Sequence, residues 1–124
     1  MTDELLVVRA QLGERAALAA LVDRWRVPLW TYVRRMLDAE RADDVTQEIW
    51  LAVVRGLPGL REPGRFAPWL FTIARRSVTD RLRSEYAGER EALAAVALAL
   101  AVGAHARRAA LLRRKRELTG GEEG

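Results

Sequence analysis

The residues best suited to chemistry stand between positions 61 and 83, where arginines and aromatic side chains occur together. They are Arg61, Arg65, Phe66, Trp69, Phe71, Arg75, Arg76, Arg81 and Arg83. Arginines neutralise phosphates and aromatic rings accept unstacked bases, so the combination favours single-stranded nucleic acid. An ordinary amphipathic helix, with aromatic residues in its core and arginines in water, has the same composition. The residues of this stretch leave both interpretations open.

Charge is divided along the chain rather than spread evenly. Residues 41–60 carry a net charge of −1, whereas residues 61–83 carry +4, because six arginines there stand against only Glu62 and Asp80. Segregated charge of this kind indicates two different partners, one cationic and one anionic.

Catalytic and metal-binding patterns are weak in this sequence. The chain has no cysteine and a single histidine, His105, which excludes a thiolate metal site and a disulfide framework. The carboxylates of Asp43, Asp44 and Glu48 could in principle hold a divalent cation, although such spacing more often faces solvent or a basic partner. We therefore predict a protein without catalytic activity, cofactor or metal. The first residues lack the pattern of a secretory signal, and we expect a cytoplasmic protein.

Apolar spacing predicts an all-α fold with three principal helices and an additional C-terminal helix. The helices are expected at about 13–38, 41–55 and 68–84, with a Pro/Gly-rich loop at 57–64. The predicted buried positions are Leu18, Leu21, Val22, Trp25, Leu29, Tyr32, Val33, Met36, Val45, Ile49, Ala52, Val53, Leu70, Ile73, Ala74, Val78 and Leu82.

The second predicted helix presents a mostly polar side opposite its apolar one. That side carries Asp44, Gln47, Glu48, Leu51 and Arg55. An apolar Leu51 among polar neighbours is typical of the centre of a docking surface.

The composition changes after Gly88, which predicts a second segment at 87–124. Its alanine-rich run at 92–104 has high helix propensity and is followed by a basic tail at 107–116. The run is shorter than the roughly 20 residues that span a bilayer, so we predict no membrane segment. A helix packed on the domain or on another protein is expected instead.

Three segments, at 18–25, 42–50 and 66–75, resemble region 2 of sigma-70-type RNA polymerase sigma factors, in particular the extracytoplasmic-function (ECF) group. The resemblance covers about residues 10–84, and its most specific parts are Asp-Asp-Val-x-Gln-Glu at 43–48 and Trp-Leu-Phe-x-Ile-Ala-Arg at 69–75. It implies a compact helical domain at 1–86. It also implies a transcription initiation protein that binds core RNA polymerase and recognises and melts the promoter −10 element.

The resemblance also implies roles for individual residues. The acidic helix would contact the clamp helices of the polymerase β′ subunit through Asp44, Gln47, Glu48, Leu51 and Arg55. Phosphates of the single-stranded −10 DNA would be bound by Arg61, Arg65, Arg75, Arg76 and Arg83. Phe66 and Trp69 would stack on bases or brace the recognition loop. Packing in the core is an alternative for Trp69 and is the expectation for Phe71.

The sequence departs from the family pattern at two places. Arg76 stands where family members often carry asparagine, which favours a phosphate contact over a base-specific one. Residues 87–124 carry no helix-turn-helix signal, so region 4 is not recognisable. Two alternatives follow: a module that binds polymerase or an anti-sigma partner without initiating transcription, or a truncated sigma factor.

Overall fold

The computed structural model describes residues 1–122, with side chains described through residue 118. Its α-helices are α1 (Asp3–Gln11), α2 (Arg15–Arg34), α3 (Ala39–Gly56) and α4 (Phe66–Glu122). Two short 3-10 turns, Leu57–Gly59 and Pro63–Arg65, connect α3 to α4. No strand occurs among the described residues, and the all-α prediction is confirmed. The chain divides into two units, Met1–Arg83 and Ser84–Gly124.

The first helix, α1, is not predicted by the sequence. Its start is fixed by Thr2, whose hydroxyl accepts a hydrogen bond from the backbone N–H of Leu5 at 3.2 Å, and two acidic residues in its first turn complement the helix dipole. Only Leu6 and Val7 are buried. Two buried residues in nine make a pattern too short to stand out as a helical period.

The core of the first unit is formed by α1, α2, α3 and the beginning of α4. The fully buried side chains with the largest volumes are Phe66, Leu21, Leu29, Ile49, Leu70, Val7, Val33, Val45 and Val53. Each such side chain contributes about 1.5–3 kcal/mol relative to an exposed position. This packing fixes which sides of α3 and α4 face outward.

Two predicted core residues are exposed instead. Met36 is 42% exposed, because α2 ends at Arg34 and Leu37 takes the buried position in the connection to α3. Leu82 is 43% exposed, since it lies one turn beyond Val78, the last buried residue of α4.

The third predicted helix and the C-terminal helix are parts of one continuous helix, α4. Gly88, where the composition changes, lies inside it, flanked by residues of high helix propensity. An 18-residue window within α4 has a mean hydropathy of 1.4, so this helix is long and apolar enough to cross a membrane, judged by length and composition alone. None of the window is buried. The window is longer than the alanine-rich run at 92–104, since α4 extends beyond both ends of that run.

Candidate functional site

The acidic side of α3 is an exposed surface, as its sequence predicts. Asp38 begins the helix by accepting a hydrogen bond from the backbone N–H of Arg41 at 2.9 Å. Ala42, Val45, Ile49 and Val53 then point into the core. The helical period consequently turns the five predicted docking residues outward, and all five are exposed: Asp44, Gln47, Glu48, Leu51 and Arg55. We call these five residues the acidic face.

An arginine from α4 contacts the acidic face, which the sequence does not indicate. The residue is Arg81: its Nη2 lies 3.7 Å from Oδ2 of Asp44, and its Nη1 lies 4.0 Å from Oε1 of Glu48. Both carboxylates remain more than half exposed. Exposed ion pairs of this kind contribute at most about 1 kcal/mol. A stronger cationic partner can therefore displace this contact.

Apolar surface adjoins the acidic face on the side of α2. A shallow cleft between α2 and α3 is lined by Val22, Arg26, Val27, Trp30, Asp43, Thr46, Gln47 and Trp50. The indole N–H of Trp30 donates a hydrogen bond to Oδ1 of Asp43 at 3.0 Å. Val27 and Val54 are 63% and 48% exposed. The apolar spacing singles out neither valine as a surface residue, although both lie off the apolar stripe of their helix.

The basic side of α4 gathers three of the predicted phosphate ligands. Arg75, Arg76 and Arg83 line one groove with Thr72, Thr79 and Asp80, and the three arginines are exposed. Among the described residues, none of the three arginines forms an ion pair with a carboxylate. We call these three arginines the basic groove. Three arginines against the single carboxylate of Asp80 leave the lining with a net charge of +2, which makes it suited to an anionic ligand.

The other two predicted phosphate ligands lie outside this groove, on the connection between α3 and α4. Arg61 and Arg65 are both exposed. Nε of Arg65 lies 2.7 Å from Oε2 of Glu62, three residues earlier. The described contacts do not unite these two arginines with the basic groove.

Phe66 and Trp69 differ in how much of their rings solvent can reach. Phe66 is completely buried, so it has no face available for a base, and the stacking interpretation is wrong for Phe66 in this conformation. Trp69 is half-buried, and its ring centroid lies 6.0 Å from that of Phe66. The Trp69 ring also covers Gly56, where an added Cβ would approach Cζ2 to 3.0 Å. Both aromatics are therefore placed to brace the connection that precedes α4.

Phe71 packs within the first unit, as expected. Its ring meets those of Trp25 and Tyr32 edge-to-face, with centroids 5.9 and 5.3 Å away. Such pairs contribute about 0.5–1.5 kcal/mol beyond the area they bury.

A glutamine from α1 holds the connection between α3 and α4 in place. Nε2 of Gln11 donates hydrogen bonds to the backbone carbonyls of Leu57 and Leu60, at 3.0 and 2.9 Å. A single side chain thus fixes two points of the segment that carries Arg61. No sequence pattern signals this contact, because it joins residues more than forty positions apart.

The described residues contain no group of three or more histidines, cysteines or carboxylates arranged to hold a metal ion.

The family model for sigma-70 region 2 matches residues 21–87. The ECF RNA polymerase sigma factor SigK of Mycobacterium sp. (strain KMS) is 40% identical over 92 residues, which cover 70% of this chain and 47% of SigK. The ECF RNA polymerase sigma-E factor of Escherichia coli (strain K12) is 34% identical over 74 residues, which cover 60% of this chain and 39% of sigma-E. The chain spans about half the length, or less, of these curated relatives.

A solved structure has the same fold. It is the NMR structure of the complex formed by an engineered region 2 of sigmaE with GTAAAA. The match has a TM-score of 0.64 and 29% sequence identity, and it covers 68% of this chain and 90% of that one.

Proposed function

The chain belongs to the sigma-70 region 2 family, and we propose that it acts as a sigma factor-like transcription initiation protein. It binds core RNA polymerase and recognises and melts the promoter −10 element. The observation that carries the proposal is the likeness to an engineered sigmaE region 2 in complex with GTAAAA, together with a family match that spans both the acidic face and the basic groove.

The acidic face is the surface we assign to polymerase, through the clamp helices of the β′ subunit. Its apolar centre, Leu51, is 55% exposed and is flanked by exposed polar side chains. The adjoining cleft supplies further apolar area, which an interface centre needs. On binding, a basic partner displaces Arg81 from Asp44 and Glu48.

The basic groove is the surface we assign to −10 DNA in its single-stranded form. Three arginines without a carboxylate partner among the described residues supply the phosphate contacts. Arg61 and Arg65 add to them on the connection that leads to α4, where a phosphate replaces Glu62 as the partner of Arg65. The half-buried Trp69 stacks on a base or braces the recognition loop, and the buried Phe66 supports it from the core.

We assign residues 1–86 to the region 2 module and residues 87–124 to a separate segment without a helix-turn-helix signal. The chain works in the cytoplasm, where polymerase acts, and catalysis belongs to the polymerase. An anti-sigma protein is a further partner that we propose for this chain.

The test is capture of purified bacterial core RNA polymerase by the full chain. A variant with Asp44, Gln47, Glu48 and Leu51 changed to alanine removes most of the acidic face. The matched control changes to alanine two other exposed residues, Leu12 in the turn after α1 and Asp23 on α2. We expect the native chain and the control to capture polymerase and the acidic-face variant to lose at least nine-tenths of the signal. A folded native chain that captures no polymerase would contradict the proposal.

A further inference from the structure

The second unit carries a stripe of large apolar side chains along one side of α4. The stripe consists of Tyr86, Leu93, Leu100, Leu111 and Leu118, which are 63–69% exposed. Successive members are separated by seven or eleven residues. At 100° per residue, both intervals return to within about 20° of the same direction. The stripe is therefore a continuous side of one helix, and its residues are exposed in the single chain.

The stripe is symmetric about Val102. Tyr86 and Leu118 lie sixteen residues to either side of that position, and Leu93 and Leu111 lie nine residues to either side. Leu100 has Ala104 as its counterpart. A second copy of the helix running in the opposite direction would place each large side chain opposite another member of the stripe, or opposite a small residue at the centre. Self-complementarity of this kind is what a two-fold interface between identical chains requires.

Charge supports the same orientation. Residues 85–91 carry a net charge of −2, and residues 107–117 carry +5. Antiparallel pairing brings the acidic end of one helix beside the basic end of the other. Parallel pairing instead sets the two basic ends side by side, within the roughly 8 Å over which charges act at physiological salt.

The position of Arg107 also distinguishes the two orientations. This residue lies about 40° from Leu111 around the helix, at the border of the stripe. In the antiparallel arrangement it stands opposite Ala97, which leaves room for its methylene stem while its guanidinium reaches solvent. In the parallel arrangement it stands opposite its own copy, and the two charges repel each other.

We propose that residues 86–118 form an antiparallel helix pair with a second copy of this chain. The pairing uses only the second unit, so it does not depend on the proposed function. A lipid bilayer explains the pattern less well. The uncharged stretch at 92–106 spans only about 22 Å as a helix, and the stripe continues through charged residues on both sides of it.

The test is the molar mass of the full chain, measured by sedimentation equilibrium across a range of concentrations. We expect a dimer for the native chain. Leu93→Glu and Leu111→Lys are each expected to weaken dimerisation at least about tenfold, since each buries a charge against a leucine of the other copy. The matched control is Leu98→Glu: Leu98 is equally exposed, at 66%, but lies about 140° away from Leu93 around the helix. The control variant should dimerise as the native chain does.

The double variant Leu93→Glu, Leu111→Lys tests the register. In the antiparallel pair each new glutamate faces a new lysine of the other copy, so dimerisation should recover by at least about fivefold over the weaker single variant. In a parallel pair like charges meet, and the double variant should be weaker than either single one. Helix content, followed by circular dichroism, must be the same in all variants.

Three results would overturn the proposal. The first is a native chain that stays monomeric at about 200 µM, far above the micromolar range of ordinary specific association, and the second is a double variant with no recovery. The third is a monomer that binds vesicles of phosphatidylcholine and phosphatidylglycerol through residues 86–118, since the apolar stripe would then belong to a lipid surface.

Discussion

The arginines of this chain differ in whether they form an ion pair with a carboxylate. Arg81 contacts two carboxylates of the acidic face, and Arg65 contacts Glu62, whereas the arginines of the basic groove have no such partner among the described residues. The sequence could place all of them in one basic stretch. It could not separate them, because each ion pair depends on which helix packs beside the arginine.

Replacement of Arg75, Arg76 and Arg83 by alanine should weaken binding of single-stranded DNA and flatten its salt dependence. Each arginine that neutralises a phosphate adds about 0.7 to the slope of log K against log salt, so the slope of the triple variant should be smaller by about 2. Fluorescence anisotropy at several salt concentrations measures this slope. Arg15, Arg26 and Arg35, which are exposed on or at the end of α2, provide the matched triple control. An unchanged slope in the groove variant would remove the phosphate role from these residues.

The burial of Phe66 is a second feature that depends on a single residue. The sequence shows an aromatic side chain beside arginines, and hydrophobicity alone does not say which of several aromatics faces inward. The packing answers that question, because Phe66 is completely buried while Trp69 is only half-buried.

Phe66→Ala should lower the free energy of unfolding by about 3–5 kcal/mol, the range for removing a buried aromatic ring. Urea denaturation followed by circular dichroism measures the change. Tyr86→Ala, which removes an exposed aromatic ring from the second unit, is the control and should leave the midpoint of the first unit unchanged. A decrease below about 1 kcal/mol in the Phe66 variant, well under that range, would show that this ring does not pack as described.

At the scale of the elements, α2, α3 and the beginning of α4 could be predicted, because their apolar residues recur at helical spacing over several turns. The element α1 could not, since it buries only Leu6 and Val7 and is held largely by contacts to distant parts of the chain. Asp3, for example, accepts hydrogen bonds from Arg24 at 2.6 Å and from the indole of Trp25 at 3.1 Å. The sequence also does not indicate that the third predicted helix continues through Gly88: one glycine costs a helix only about 1 kcal/mol, which the helix-forming residues around Gly88 offset.

The contact between α1 and the connection from α3 to α4 can be tested by mutation of Gln11. Gln11→Ala removes two hydrogen bonds to the carbonyls of Leu57 and Leu60 and should destabilise the first unit by about 1–2 kcal/mol. In this variant the rate of amide hydrogen exchange should increase more at residues 57–65 than in α3. Gln47→Ala, at an exposed glutamine of α3, is the control. Unchanged exchange at 57–65 would mean that Gln11 does not hold the connection.

At the scale of the whole molecule, every buried apolar residue among those described lies within the first unit, from Leu6 to Val78. Residues 84–118 contribute no buried apolar side chain to it. The sequence indicates the change of composition near this point. It could not show that residues 84–118, the part of the second unit whose side chains are described, have no core of their own.

A fragment of residues 1–83 should therefore fold and unfold with the same urea midpoint as the first unit of the full chain. The physical reason is that removal of the second unit takes away no side chain of the buried core. Circular dichroism, together with the fluorescence of the half-buried tryptophans, follows the transition. A fragment that is unfolded in buffer would contradict the division into units.

The most direct test of the central claim is selection of single-stranded DNA by the complex of this chain with core RNA polymerase. A random library is presented to the complex, to core polymerase alone and to the complex made with the Arg75, Arg76, Arg83 triple-alanine variant. We predict that only the native complex enriches a short common sequence, the −10 element that this chain recognises. A native complex that assembles but enriches no sequence beyond core polymerase alone would contradict this prediction.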